Sequence, residues 1–229
     1  MPVYSLERWP LIKALGKQRY LALSLLAFLC IMPLTHEEST FDRLLIYLVL
    51  TCVFITGPLA IASTRLRLVI SMVLSLLVLL PGVGSILADY HVAYSYSLIA
   101  GILFFSYLAA LISKELLTDD SSVDAETLWG AVNVYVLIGL CFAFSYAALA
   151  TFQPDLFTGK FIDQPSRDQL FGYIYFSFVT LTTLGYGDVT PNTTGAATLT
   201  YLEAVIGQLY IAIMLARLVG LYITRKTPI

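Results

Sequence analysis

Charge is what this sequence has least of. Only 12% of its 229 residues are Asp, Glu, Lys or Arg, against about 25% in a typical soluble domain. Lys and Arg number 13 and Asp and Glu 15, a net charge of −2. No basic field is there to hold a polyanion, so nucleic acid is not expected as a partner. Cysteine is sparse: Cys30, Cys52 and Cys141 lie singly in apolar stretches, without pair spacing or a nearby histidine. That pattern fits buried thiols in membrane helices, not a disulfide framework. His36 and His91 fall in short polar breaks and form no metal-binding set. A phosphate loop, a nucleophile elbow and a catalytic carboxylate pair are also missing. The chain therefore does not read as an enzyme, and no cofactor is expected.

What is abundant is apolar length. Hydrophobic residues make up 59% and the mean hydropathy is +0.83. Uncharged runs cover residues 20–36, 44–64, 68–88, 90–113, 127–154 and 169–187, and a seventh, 189–216, is broken only by Glu203. Each is near the ~20 residues that a helix needs to cross a ~30 Å hydrocarbon core. Lys13, Lys17 and Arg19 precede the first run, but no small-x-small cleavage pattern follows it. It reads as a retained first helix, not a signal peptide.

The distribution of basic residues sets the topology. With the N-terminus cytoplasmic and run 169–187 dipping in and returning, ten Lys and Arg lie inside. Only Arg43, Lys160 and Arg167 lie outside. If that run crossed instead, the count would be seven against six. The first arrangement fits better, so the run is expected to be re-entrant. Non-helical backbone at membrane depth is tolerated only where it lines a cavity or is buried in protein. The expected fold is an all-α integral membrane protein with six transmembrane helices, both termini cytoplasmic, and one re-entrant helix and loop.

The re-entrant run ends in Thr180-Leu-Thr-Thr-Leu-Gly-Tyr-Gly-Asp188. Ser166 and Gln169 have capping-box spacing for its helix, which is expected to end near Thr182. A dehydrated cation needs a cage of oxygens. Successive backbone carbonyls supply one if alternate residues take unusual angles, and Gly185 and Gly187 reach positive φ at little cost. Thr183 adds a hydroxyl, and Tyr186 is expected to brace the loop from behind. The preceding helix would aim its partly negative C-terminus at the ion.

This stretch resembles the signature of the potassium channel family, whose filter is four TVGYG loops around one axis. Leu184 stands where Val is usual, a position that contributes its carbonyl. The resemblance covers about residues 126–224. It implies a pore domain over 126–229, following a four-helix membrane domain over 1–125. It also implies a homotetramer, three further copies of this chain set in membrane lipid, in the plasma or inner membrane. K+ would be the permeant ion, bound at Thr183, Leu184, Gly185 and Tyr186, with Gly187 closing the filter. Family members often place two Trp and a Glu in the pore helix to hold the filter and the Asp after it. Here those positions are Tyr175, Phe176 and Val179, so Tyr175 is the expected partner of Asp188. Gly207 lies where the family often has a hinge glycine; close helix packing explains it equally well. Gln208, Ile211 and Leu215 share one face and would line the cavity.

Glu203 is an intramembrane carboxylate, which marks a functional position by default. It would brace the filter or pore helix, sit neutral between helices, or take part in gating. The family's voltage-gated members carry basic residues at every third position of the fourth helix. Run 90–113 has none. Moving one charge through 100 mV is worth ~2.3 kcal/mol, so voltage has little to act on here. Only residues 225–229 follow the last run, and an attached ligand-binding domain is not expected. In the acidic connector 114–126, Ser121 and Asp124 have capping-box spacing for the fifth helix, and its acids are expected to pair with Arg217, Arg225 and Lys226 in one gating state. The reading is a potassium-selective, weakly voltage-dependent channel subunit. The alternatives are a poorly selective cation channel, a potassium transporter subunit, and a non-conducting scaffold.

Overall fold

A computed structural model describes residues 18–34, 40–88, 91–118, 124–159, 161–162 and 170–226. Seven α-helices account for most of them: α1 (Gln18–Ile31), α2 (Thr40–Ala60), α3 (Arg65–Ala88), α4 (His91–Thr118), α5 (Ala125–Phe152), α6 (Leu170–Leu181) and α7 (Thr194–Lys226). Among the described residues, α3, α4, α5 and α7 are long and apolar enough to cross a membrane; the apolar parts of α1 and α2 are shorter. At 1.5 Å per residue, the 12 residues of α6 reach about 18 Å, well short of the ~30 Å core.

Helix α5 is the hub, packing against α1, α4, α6 and α7. In α5, 56% of the apolar stretch is buried, against 11% in α7. An outlying apolar face of that size needs lipid or another chain to cover it. The core between α2, α4 and α5 is a chain of rings. Phe54 and Phe104 lie 4.7 Å apart, Phe104 and Phe105 5.5 Å, and Phe105 and Phe144 5.0 Å. Gly101 makes room for the last of them, since a Cβ there would stand 2.5 Å from Phe144 Cδ1. Pro58 lies inside α2 and has no N–H, which leaves the Phe54 carbonyl without its helical donor. The Ser75 hydroxyl of α3 stands 3.1 Å from that oxygen.

Polar ties gather at the helix ends. The first amide of α1, Gln18 N, donates to Glu126 Oε2 at 2.7 Å, and Asn133 Nδ2 donates to the Gln18 carbonyl at 2.8 Å. Arg67 and Glu115 form an ion pair at 2.8 Å, and Arg217 Nε donates to the Leu116 carbonyl at 2.7 Å. That carbonyl belongs to the last turn of α4, where oxygens lack helical donors and a cation meets the negative end of the dipole.

Four sequence expectations change here. The fold is mostly helical but not purely so: β1 (Phe157–Gly159) pairs antiparallel with β2 (Val189–Pro191), setting Thr158 opposite Thr190. Helix α4 runs past the first charge to Thr118, because Glu115 finds Arg67 beside it. Asp124, not Ser121, caps α5. Its carboxylate accepts from Thr127 N and Thr127 Oγ1, both at 2.8 Å, and these bonds hold its pKa below the usual carboxylate value. Finally, of the described acids of the connector, Glu115 pairs with Arg67 and Glu126 with Arg19, while Asp124 caps its own helix. Ser121, Asp119 and Asp120, the 166–169 capping box and the side chains of Arg225 and Lys226 lie outside the described residues.

Candidate functional site

The stretch after α6 bends back on that helix through its amides. Thr182 N donates to the Phe178 carbonyl at 3.1 Å, and Thr183 N to Thr180 O at 2.9 Å. Leu184 N and Gly185 N both donate to Val179 O, at 3.0 and 3.2 Å. These donors satisfy carbonyls of the last turns of α6, which otherwise lack partners at a helix end. With successive N–H groups turned toward α6, the loop's own carbonyls are left for its other side. The dihedrals follow the same rhythm: φ is 59° at Thr183, 57° at Gly185 and 76° at Gly187. Positive φ at every second residue turns alternate peptide units, so that neighbouring carbonyls share one side. A Cβ on Gly185 or Gly187 would meet no atom of this chain within 4 Å. Backbone angle, not space, therefore favours glycine there. Thr183 takes the same angle with a β-branched side chain, which is uncommon. The positive φ at Thr183 was not part of the sequence expectation.

Tyr175 Oη donates to Asp188 Oδ2 at 2.6 Å, which ties the end of the loop to the body of α6. Its ring lies 5.0 Å from Phe161, edge on. Phe176 points elsewhere: it packs 5.2 Å from both Tyr146 and Phe157, on the side of α5 and β1. Its volume supports α6 and not the loop directly. The pairing of Gly159 with Val189 then holds the residue after Asp188 against the segment that leaves α5. Tyr186 and Leu184 are 66% and 55% exposed in the single chain.

Behind α6 lies a buried polar group that the sequence reading only half located. Glu203 of α7 has no exposed surface. Tyr146 Oη of α5 donates to Glu203 Oε2 at 2.6 Å, and the Ser177 hydroxyl of α6 is within hydrogen-bonding reach of Glu203 Oε1. The same hydroxyl stands 2.7 Å from the Gly139 carbonyl of α5. Three helices thus meet at one carboxyl. Four residues on, a Cβ at Gly207 would stand 2.6 Å from the Leu181 carbonyl. Gly207 therefore lets α7 touch the end of α6, a packing role whether or not it also bends. Tyr135 Oη donates to that same Leu181 oxygen at 3.3 Å. Gln208, Ile211 and Leu215 lie on exposed turns of α7, with Leu215 61% exposed.

Sequence reasoning named Glu203 and Tyr175 but missed Ser177, Tyr146, Gly139 and Tyr135. A serine or tyrosine in an apolar helix is unremarkable until the rotation of the helix is known. One usable signal was present: Ser177 is the lone serine in the otherwise aromatic and aliphatic stretch Tyr173 to Phe178.

Residues 134–223 match a family model described as an ion channel. The match runs from Val134 in α5, through α6 and the loop, to Ile223 in α7. No curated protein and no solved structure matches the chain. Together with its apolar helices, the match marks a multi-pass membrane protein with an ion-channel segment.

Proposed function

We propose that this chain is one subunit of a homotetrameric potassium channel of the plasma or inner membrane, with both termini cytoplasmic. In this reading α1–α5 and α7 span the bilayer, with α6 as a re-entrant pore helix. Residues 1–125 form the peripheral domain and 126–229 the pore. The observation that carries it is the backbone at 183–187: positive φ at Thr183, Gly185 and Gly187, with the preceding amides turned onto α6. Four such loops around an axis make stacked rings of carbonyl oxygen that replace the water of a K+ ion. The ion binds at Thr183, Leu184, Gly185 and Tyr186. Tyr175, Asp188 and Glu203 hold the loop through α6, with Phe176 packing beneath. Gln208, Ile211 and Leu215 line the cavity below, and no cofactor is needed.

The peripheral helices supply no voltage sensor in this reading. Along α4, the basic residue is Lys114 in its last turns, at a membrane boundary. Purified protein in planar bilayers tests the proposal. Unitary currents carried by K+, with open probability nearly flat between −100 and +100 mV, support it. Sealed bilayers at every voltage contradict it. So does a sigmoid steep enough for several gating charges per subunit.

A further inference from the structure

The contacts of Ser177 bear on where a proton sits. A serine hydroxyl carries one hydrogen and can donate once. Yet Ser177 Oγ lies at hydrogen-bond distance from two oxygens, Gly139 O at 2.7 Å and Glu203 Oε1. The Gly139 carbonyl can only accept. If Ser177 donated to a charged Glu203, its oxygen would face the Gly139 oxygen at 2.7 Å with no hydrogen between them, in a site without solvent. If it donates to Gly139, the contact with Glu203 is a bond only when the carboxyl is the donor.

We propose that Glu203 is held as a neutral carboxylic acid. Its proton, donated to Ser177, fixes the position of the pore helix and through it the filter. The chain of donors runs from Glu203 Oε1–H to Ser177 Oγ–H to the Gly139 carbonyl, while Tyr146 Oη donates to Oε2. Each of the three hydroxyl hydrogens of the cluster then has an acceptor.

The surroundings agree. Tyr146, Tyr135 and Cys141 are the titratable groups that α5 brings within range of Glu203. Helix α6 presents Ser177, and among the described residues no cation faces the carboxyl. The ion pairs among those residues are Arg67–Glu115 and Arg19–Glu126, both at helix ends. A buried carboxylate without a cation is strongly disfavoured, and such groups take up a proton instead. Glu203 touches none of the residues assigned to K+. It is a positioning residue, acting through Ser177 on the helix whose last turns receive the amides of residues 182–185.

Only the conduction readout rests on the channel reading; the protonation readout does not. Infrared spectra of purified wild-type protein at neutral pH should contain a protonated-carboxyl C=O band that shifts in D2O and is absent from Glu203→Gln. Glutamine is the conservative test, because its NH2 can donate to Ser177 and its C=O can accept from Tyr146. Glu203→Gln should therefore keep wild-type selectivity and a flat current between mildly acid and mildly alkaline pH. Glu203→Ala leaves the Ser177 oxygen without its donor and the Tyr146 hydroxyl without the carboxyl it donates to, and should lose conduction at least about tenfold, the scale of one unmade buried hydrogen bond. Should Glu203→Ala fail to assemble, Ser177→Ala gives the same comparison, with loss expected there and retention in Glu203→Gln. Absence of the infrared band, or a Glu203→Gln channel as impaired as Glu203→Ala, overturns the proposal. If the wild type does not conduct but the band is present, the channel reading fails and the neutral carboxyl stands.

Discussion

Buried serines have different partners in the two halves of the molecule. In α1 and α3, Ser24, Ser71 and Ser75 each bond within their own helix at 2.8 Å, and where Ser24 and Ser75 also reach across, to Thr56 and the Phe54 carbonyl of α2, the partner is a neutral oxygen. Ser177 of α6 reaches a carbonyl of α5 and the Glu203 carboxyl of α7. Charge is placed differently as well. The described ion pairs, Arg67–Glu115 and Arg19–Glu126, sit at helix ends, whereas α7 keeps a carboxyl wholly buried at mid-helix. The first half is joined by ring and aliphatic packing with a few neutral hydrogen bonds between helices. The second adds one carboxyl that α5, α6 and α7 share, and hydrogen bonds between membrane helices fix rotation as well as contact. In the proposed channel, that carboxyl belongs to the part that would hold oxygens at fixed distances.

The widest separation between the halves should come from two glycines. A Cβ added to Gly84 in α3 or to Gly185 would meet no atom of this chain within 4 Å, but of the two only Gly185 has positive φ. Gly185→Ala forces an L-residue into a left-handed angle, about 1–2 kcal/mol per copy and fourfold in a tetramer. Conduction should be abolished. Gly84→Ala should conduct normally and gain a few tenths to about 1 kcal/mol of thermal stability. Wild-type currents from Gly185→Ala would break the comparison at its root.

Next in size is Tyr175→Phe, which removes only the hydroxyl that donates to Asp188. A hydrogen bond to a charged group is worth about 1.5–3 kcal/mol. Inactivation should quicken or selectivity weaken, with assembly unchanged on size-exclusion chromatography. Currents that inactivate and select like wild type would leave the loop held by Glu203 and β2 alone.

Asp124→Ala should cost about 0.5–2 kcal/mol, the usual value of an N-cap. Its hydrogen bonds from Thr127 lower the folded pKa of Asp124. This stabilisation is therefore present above the ordinary carboxylate pKa and disappears as pH falls through the lower folded value. Thermal melts of wild type and variant should differ at pH 7 and converge in strong acid. A constant gap would mean that the carboxylate is not the cap.

The smallest effect should be Arg67→Gln. The Arg67–Glu115 pair is half exposed, and such pairs contribute about 0–1 kcal/mol, less in high salt. A shift in melting temperature that is detectable at low ionic strength and gone at high salt is expected. A large loss at both would show that the first half depends on one polar tie too.

The helices were legible because a charge is costly in lipid, so uncharged runs outline them: run 68–88 foretells Arg65–Ala88, and 127–154 foretells Ala125–Phe152. The rule erred at Lys114 and Glu115, where a cross-helix partner lets a helix carry charge past the run. The loop was legible because its glycines meet a backbone demand that composition cannot hide. The strands were not, since three residues each, Phe157–Gly159 and Val189–Pro191, are too few for any alternation to register. Tyr146 and Gly139 were invisible for another reason, and Ser177 showed only as a lone serine: which side chains meet across three helices depends on rotations that only packing decides.

The most direct test of the central claim is the reversal potential of the purified channel, with K+ on one side of a bilayer and Na+ on the other. Carbonyl rings built from residues 183–187 predict a strongly K+-selective value, and a shift toward zero in Tyr175→Phe. A wild-type reversal near zero with sizeable current both ways would contradict the account, since the loop would then pass cations without replacing their water.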